Sequence, residues 1–243
     1  MKPITNYTLW LFLQSIDDQE PALVNIIISY LSKEQLLRKK VNMWCNPNTR
    51  EQCEKIFGHI SDWDVTGITD MSGLFRNKIY FNDNINSWDV SGVINMSCMF
   101  MSTRYFNQPL NSWDVSKVTD MSDMFSYALS FNQPLDSWDV SDVIDMHSMF
   151  EGAKSFNQPI GEWNVFKVTD MSYMFCNTKS FNQPIGDWNT FNVTSISYMF
   201  QNAKSFNRRL RNWIIVNIKY KYGVFDGAES FDQPITIQYI RPF

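Results

Sequence analysis

The hydrophobic positions of this chain recur every 25 residues over most of its length. The stretch Phe106 to Ser130, FNQPLNSWDVSKVTDMSDMFSYALS, is one copy of the recurring unit. Three aromatic columns keep this period through seven copies: Trp63, Trp88, Trp113, Trp138, Trp163, Trp188 and Trp213; Phe75, Phe100, Phe125, Phe150, Phe175, Phe200 and Phe225; and Phe81, Phe106, Phe131, Phe156, Phe181, Phe206 and Phe231. Several independent positions with one period predict stacked supersecondary units.

Within each unit, the repeated apolar positions are expected to face a core. In the copy above they are Phe106, Leu110, Trp113, Val115, Val118, Met121, Met124 and Phe125. The segment from Val118 to Met121 shows the period of two that is typical of a short strand, with Val118 and Asp120 on one side. Thr119 and Met121 would then lie on the other side. Ser122 to Ala128 is expected to form one helical turn.

A single unit is too small to be stable by itself. Full burial of one large apolar side chain contributes about 1.5 to 3 kcal/mol, whereas ordering each residue costs about 1.5 kcal/mol. Neighbouring units must therefore share their apolar surfaces. We expect residues 59–243 to form a repeat solenoid of about seven units with a degenerate last unit, after a separate domain at residues 1–58.

Polar positions repeat as well, and their substitutions indicate their role. The residue after each tryptophan is Asp64, Asp89, Asp114 and Asp139, then Asn164, Asn189 and Ile214. A calcium site would need its carboxylate in every unit. We therefore interpret this column as turn-capping acceptors, and the column Asp70, Asn95, Asp120, Asp145, Asp170 and Ser195 in the same way. A third column, Asn82, Asn107, Asn132, Asn157, Asn182 and Asn207, is expected to form an amide ladder that satisfies backbone groups inside the turns.

The motif FNQPLxxWDVSxVTDMSxMFxxA resembles the 25-residue repeat of the BspA-like leucine-rich-repeat surface proteins, the mycoplasma-type lipoprotein repeat family. The resemblance covers about residues 56 to 235. It implies a leucine-rich-repeat-like solenoid, with short parallel strands and helical turns, that binds other molecules without enzymatic activity. The family occurs in bacterial surface proteins, in protists and in large DNA viruses.

Residues 1–58 lack the 25-residue period and show helical spacing. Three short helices are expected, the first after Pro21. Ser32 to Gln35 and Thr49 to Gln52 both have the pattern of a capping box, and Gly58 is a helix stop. One hypothesis for this domain is an amphipathic cap that shields the first repeat unit.

A second hypothesis comes from another resemblance. The stretch Pro21 to Trp44 resembles an F-box, the helical motif that docks an adaptor of a cullin ubiquitin ligase. Its apolar positions correspond to Leu23, Ile27, Tyr30, Leu31, Leu36 and Leu37. This resemblance implies that the solenoid would be a substrate receptor. One set of helices could serve as cap and as F-box.

Composition and charge favour a cytoplasmic protein, or one in a virus particle assembled in the cytoplasm. A net charge of −4 and a pI near 5.2 argue against a general nucleic-acid binder. Cys45, Cys53, Cys98 and Cys176 share no repeat position and no zinc spacing, which suits a reducing compartment. The apolar run Tyr7 to Leu13 is too short for a secretory signal, no lipid-attachment cysteine is evident, and no stretch predicts a membrane span.

The sequence shows no motif for catalysis, for a cofactor or for a metal. It contains two histidines, His59 and His147, and neither has an evident partner in the sequence. His147 occupies a position that is serine in other units, so we interpret it as a turn variant. The chain is therefore predicted not to be an enzyme.

Candidate binding residues are those that break or decorate the repeat. Phe166 and Phe191 replace serine, and together with Tyr173 and Tyr198 they predict an aromatic patch. Lys154, Lys179 and Lys204 share one position and predict a basic ridge. A basic end is formed by Arg208, Arg209, Arg211, Lys219 and Lys221. It favours capping or solubility, and the alternative is an acidic protein partner, ahead of a nucleic acid.

The predicted function is that of a protein-interaction scaffold whose partner the sequence does not identify. The alternatives are a ubiquitin-ligase substrate receptor and a structural component of a viral particle or a cell surface.

Overall fold

A computed structural model describes residues 31–214 and 216–234. The chain divides into two compact units, Met1–Gly58 and His59–Phe243. The first contains helix α1 (Lys33–Trp44) and helix α2 (Arg50–Phe57), and the second begins with a 3₁₀ helix at Ile60–Asp62. The predicted first helix and its F-box-like residues Leu23, Ile27 and Tyr30 lie outside the described residues.

Helix α1 begins at the capping box that the sequence predicts. The Ser32 hydroxyl accepts a hydrogen bond from the Gln35 backbone N–H, and the Gln35 side chain accepts one from the Ser32 N–H, each at 3.2 Å. The buried side of α1 consists of Leu37, Val41 and Trp44. These residues are spaced four and three apart, as one face of a helix requires.

The second predicted capping box is wrong. The Thr49 side chain makes no capping bond to α2, and its hydroxyl instead donates to the Met43 carbonyl at 2.8 Å. Thr49 is buried near the end of α1, where unsatisfied carbonyls need donors. Gly58 ends α2 with a φ of 74°, which confirms the predicted stop.

In the second unit, each 25-residue repeat forms one coil, and successive coils lie in parallel register. Isolated parallel bridges join residues 25 positions apart: Asp70–Asn95, Asn95–Asp120, Asp120–Asp145, Asp145–Asp170, Asp170–Ser195 and Ser195–Tyr220. Alternate backbone N–H groups donate to the next coil, for example Asp123 to His147 O at 2.8 Å and Phe125 to Met149 O at 2.9 Å. In residues 59–214 and 216–234 the expected strands are reduced to these single bridges.

In residues 106–130, the apolar positions predicted to face inward are buried. The phenylalanines stack along the repeat, with ring centroids 5.5 Å apart for Phe100 and Phe125 and 5.9 Å apart for Phe106 and Phe131. Each tryptophan from 88 to 213 donates its indole N–H to a carbonyl of the preceding coil, as Trp138 does to Leu110 O at 3.0 Å. The core is therefore a set of continuous aromatic columns.

The predicted alternation around Val118 is wrong. Val118 and Met121 are both buried, whereas Thr119 and Asp120 between them are partly exposed. The reason is that tight turns connect residues three apart, such as Val118 N–H to Val115 O at 2.9 Å. Buried positions therefore recur every three residues.

The helical turn predicted for Ser122 to Ala128 is also wrong. Asp123 and Tyr127 both have a φ of 56°, in the left-handed region, which interrupts any right-handed helix. Alternate N–H groups in this segment point to the next coil, so they do not form helical hydrogen bonds.

Candidate binding face

Two left-handed backbone positions, four residues apart, recur in every complete coil. The first is occupied by Gly73, Cys98, Asp123, Ser148, Tyr173, Tyr198 and Gly223, and the second by Asn77, Ser102, Tyr127, Gly152, Asn177, Asn202 and Gly227. A left-handed conformation costs about 1–2 kcal/mol in a residue with a Cβ atom. We call the surface formed by residues 72–77 and the equivalent residues of later coils the left-handed face.

The centre of the left-handed face is Glu151. Its carboxylate accepts a hydrogen bond from the Tyr127 hydroxyl at 2.8 Å and another from the Ser148 hydroxyl at 3.0 Å. The pKa of Tyr127 is raised to about 12, mainly by the hydrogen bond to Glu151 and to a smaller extent by burial. The phenol therefore stays protonated and donates this bond at neutral pH. The ring of Tyr127 lies across Gly152, where a Cβ atom would come within 2.8 Å of it.

Asp123 and His147 lie beside this centre. His147 Nδ1 is 3.9 Å from an Asp123 carboxylate oxygen, and the imidazole meets the Tyr173 ring edge-on at 6.5 Å between centroids. Burial raises the pKa of Asp123, and His147 opposes this shift. The backbone N–H of His147 donates to Asp145 Oδ1 at 2.8 Å, which confirms its predicted place in a turn.

Both histidines have partners that are not evident from the sequence. His147 faces Asp123 from the next coil, and His59 Nδ1 lies 2.8 Å from the Ser61 hydroxyl at the start of the 3₁₀ helix. The first partner is 24 residues away in sequence, so inspection of neighbouring residues does not reveal it.

The predicted aromatic patch does not form one stack. Tyr173 and Tyr198 occupy equivalent left-handed positions, and their rings stack at 5.0 Å. Phe166 and Phe191 are exposed, and no ring contact within the described residues joins them to these tyrosines. Their carbonyls instead accept hydrogen bonds from the amide side chains of the following coil.

The lysines of the predicted ridge are all exposed. Lys204 forms an ion pair with Glu229 at 2.7 Å. Within the described residues, no ion pair involves Lys154 or Lys179. The ridge therefore presents two unneutralised cations on successive coils.

The basic end is used for contacts between coils. Arg208 Nε donates to Asn182 O at 2.8 Å, Arg209 Nε donates to the Gln233 side chain at 3.3 Å, and Arg211 pairs with Asp187 at 3.3 Å. Arg208 thus replaces a glutamine of the repeat, since Gln183 makes the corresponding bond to Asn157 O at 2.9 Å. These contacts favour the capping interpretation of the arginines.

The polar columns act mainly as the sequence predicts. Asp114 accepts a hydrogen bond from the backbone N–H two residues on at 3.0 Å, and Asn164 makes the same contact at 3.2 Å, which explains why Asn replaces Asp. The asparagine ladder runs between coils rather than inside turns: the Asn132 N–H donates to Asn107 Oδ1 at 2.9 Å. In the described ranges, no group of three His, Cys, Asp or Glu residues is arranged to hold a metal ion.

Sequence reasoning missed several residues that define these surfaces. Asp123, Tyr127 and Glu151 belong to the left-handed face, and their signal was that the repeat varies at these positions while the core does not. Tyr80 and Tyr105 form a second exposed pair, with rings stacked at 5.6 Å and Tyr80 83% exposed. Later coils carry serine at their position, and this difference was the available signal.

Residues 46–163 and 134–238 match the model of a family described as "Mycoplasma protein of unknown function, DUF285". The chain belongs to the DUF285 family. This membership confirms the resemblance to mycoplasma-type repeat proteins, and the matched DUF285 region begins after the F-box-like stretch. No curated protein and no solved structure matches the chain. In the part of the DUF285 chain that the structure describes, no helix combines the length and apolar character of a membrane span.

Proposed function

We propose that this DUF285 protein is a non-enzymatic protein-interaction scaffold, in which a leucine-rich-repeat-like solenoid presents the left-handed face to a partner. The observation that carries the proposal is the presence of Tyr127, Tyr173 and Tyr198 at left-handed backbone positions. Other coils place glycine at the same positions, so the fold does not need a side chain there. Strain that is retained in this way is typical of functional sites.

The contrast between core and surface supports the same proposal. The inward positions keep nearly the same residue in every coil, because neighbouring rings must stack. At the first left-handed position, by contrast, the residue is Gly, Cys, Asp, Ser or Tyr, depending on the coil. A regular scaffold with one varied face is the usual arrangement of a repeat protein that binds a partner.

A quantitative pull-down from the native host tests the proposal. The double variant Tyr173→Gly, Tyr198→Gly removes both rings and installs the residue that Gly73 and Gly223 provide at this position. Because glycine relieves backbone strain there, we expect the variant to fold. It should lose the partners that the wild-type chain retains.

The matched control is the double variant Phe166→Ser, Phe191→Ser, which installs the serine of earlier coils at exposed positions. It removes a similar aromatic area but leaves the left-handed face intact. The control should keep the wild-type partners. If the two double variants and the wild type recover the same proteins, the left-handed face is not the binding site.

Other functions and the location stay predictions. In the ubiquitin-ligase hypothesis, the adaptor binds the F-box-like residues. The structure describes three of these residues, Leu31, Leu36 and Leu37, and Leu37 is buried with 5% of its surface exposed. Leu31 and Leu36 are partly exposed and would have to supply the adaptor contact. The same pull-down distinguishes a cullin adaptor from components of a viral particle or a cell surface, and fractionation of the host tests the predicted cytoplasmic location.

A further inference from the structure

We propose that the left-handed face binds a cationic segment of a partner protein, with successive arginine or lysine side chains held by Asp123, by Glu151 and by the Tyr173–Tyr198 pair. This inference rests on the proposed function, because it names the chemistry of the partner at the same face.

Two carboxylates on this face, Asp123 and Glu151, form no ion pair with a lysine or an arginine of the described residues, although the charge of Arg76 acts on Asp123 from farther away. The nearest base to Asp123 is His147 at 3.9 Å, and the Asp123 side chain is only 21% exposed. Glu151 receives hydrogen bonds from two neutral hydroxyl groups. Within the described residues, no lysine or arginine lies within 4.0 Å of either carboxylate. Partly buried negative charge of this kind favours a cationic ligand.

Aromatic rings lie next to these carboxylates. Tyr173 and Tyr198 stack at 5.0 Å, and the Tyr127 ring, which is 41% exposed, is bonded to Glu151. Burial raises the pKa of Tyr173, and Tyr198, Cys176 and the charge of Glu151 contribute to the same shift, so this carboxylate acts on the Tyr173 phenol. Aromatic faces next to carboxylates attract guanidinium and ammonium groups.

The Ser126 hydroxyl belongs to the same cluster. It is fully buried, and its side-chain contact with Asp123 lowers the pKa of that carboxyl and so opposes the effect of burial. The equivalent residues of the next two coils are Glu151 and Cys176. The hydroxyl groups beside Asp123 and Glu151 are neutral, so they do not cancel the charge of either carboxylate.

The alternative of an anionic partner is disfavoured at this face. A phosphate or an acidic peptide would meet Asp123 and Glu151, and like charges at a contact oppose binding. The unneutralised lysines, Lys154 and Lys179, belong to another position of the repeat. A basic protein segment is the occupant that the charges and rings of the left-handed face fit best.

Fluorescence anisotropy with three labelled nonapeptides tests the proposal on the full chain. The peptides alternate glycine with arginine, with serine or with glutamate, and their ends are blocked. The arginine peptide should bind. Asp123→Asn and Glu151→Gln should each weaken this binding about tenfold, since each removes a charge-assisted hydrogen bond. Asparagine is well tolerated in the left-handed region, and glutamine keeps an acceptor for Tyr127, so both variants should fold.

Glu162→Gln is the matched control, because it changes the net charge equally at an exposed residue outside the left-handed face. It should leave the affinity for the arginine peptide unchanged. Equal weakening by all three substitutions would mean non-specific attraction to net charge and would overturn the proposal.

The remaining outcomes separate the partner class from the binding face. If the serine or glutamate peptide binds and Tyr173→Gly, Tyr198→Gly abolishes that binding, the cationic partner is wrong and the proposed function stands. If no peptide binds but recovery of partners in the pull-down still depends on the two tyrosines, the cationic partner is again wrong and the proposed function again stands. If no peptide binds and the pull-down is unaffected by the tyrosines, both proposals fail.

Discussion

At the scale of single residues, the left-handed positions show how backbone geometry limits side-chain choice. Gly152 has a φ of 64° and lies under the ring of Tyr127 from the preceding coil. Tyr127 itself is left-handed, so one strained residue covers the glycine of the next coil. The choice of glycine in one coil is therefore coupled to the presence of a large ring in its neighbour.

Gly152→Ala should destabilise the protein by about 1–3 kcal/mol, because it adds left-handed strain and brings a Cβ atom within 2.8 Å of the Tyr127 ring. Gly92→Ala is the control: its Cβ atom would meet its nearest neighbour, the Ile68 carbonyl oxygen, at an ordinary 3.5 Å. Urea unfolding of both variants measures the difference. If the two variants are equally stable, the left-handed position 152 does not require glycine.

Asp145→Asn should stabilise the protein at pH 7. Burial and the neighbouring carboxylates raise the pKa of Asp145 above its ordinary value of 3.8, so ionisation is less favourable in the folded state than in the unfolded chain. The penalty is absent below pH 3.8 and complete above the raised pKa. Asparagine keeps the turn bond, as Asn95 does to Ser97 at 2.8 Å. The expected gain is about 0.2–1 kcal/mol, the usual effect of opposed like charges.

Denaturant unfolding at pH 7 and pH 3 measures this effect, and the advantage of Asp145→Asn should disappear at pH 3. Asp114→Asn is the contrasting variant, because hydrogen bonds from Ser116 lower the pKa of Asp114. That substitution should destabilise the protein at pH 7, and the loss should shrink as the pH falls through the lowered pKa. An advantage of Asp145→Asn that is equal at both pH values would contradict the electrostatic explanation.

At the scale of the coil, stability comes from contacts that cross to the neighbouring coil. Trp138 is an example: its indole N–H donates to Leu110 O of the preceding coil at 3.0 Å, and its ring stacks on Trp113 at 6.5 Å. The same side chain also meets Phe125 at 6.3 Å. One coil therefore lacks most of the contacts that bury its own aromatic residues.

Trp138→Ala should cost about 3–5 kcal/mol, because it leaves a cavity lined by two coils. Trp138→Phe keeps most of the apolar volume but removes one of the two donors to the Leu110 carbonyl, which keeps the Trp113 backbone N–H at 3.2 Å, so a smaller loss of about 0.5–1.5 kcal/mol is expected. Chemical denaturation measures both values. A loss below about 1 kcal/mol for the alanine variant would mean that the tryptophan column does not carry the core.

At the scale of the whole second unit, His59–Phe243, the columns of equivalent residues require a constant register between coils. The asparagine ladder, the aromatic stacks and the parallel bridges all connect residues 25 positions apart. A change in the length of one coil by a single residue would therefore shift every column at once. The period is fixed by contacts at several places around the coil, and no single contact sets it.

Deletion of residues 82–106 removes one complete coil and joins Phe81 to Asn107, which restores the FNQP motif. This variant should fold cooperatively with a lower melting temperature, because one set of stacking contacts is lost. Deletion of residues 82–105 removes one residue fewer, and it should destabilise the protein far more by breaking the register. Near-ultraviolet circular dichroism of the tryptophans during heating measures both. Similar melting of the two variants would refute the requirement for register.

The sequence by itself determined the period, the inward residues, the equivalence of Asp and Asn in the capping columns and the capping box at Ser32. These features follow from residue type and spacing alone, because an aromatic column or an Asx turn needs the same side chain at each repeat. The sequence also indicated Tyr173 and Tyr198 as departures from the repeat.

Only the tertiary structure decided the three-residue turns, the left-handed positions and the cluster at Glu151. The turns form because alternate N–H groups donate to the next coil, and a single unit in isolation has no such acceptors. Glu151 meets Tyr127, and His147 meets Asp123, across a coil boundary. Which residues become neighbours there depends on the height and register of stacked coils, so the physical cause of the candidate site is stacking rather than local sequence.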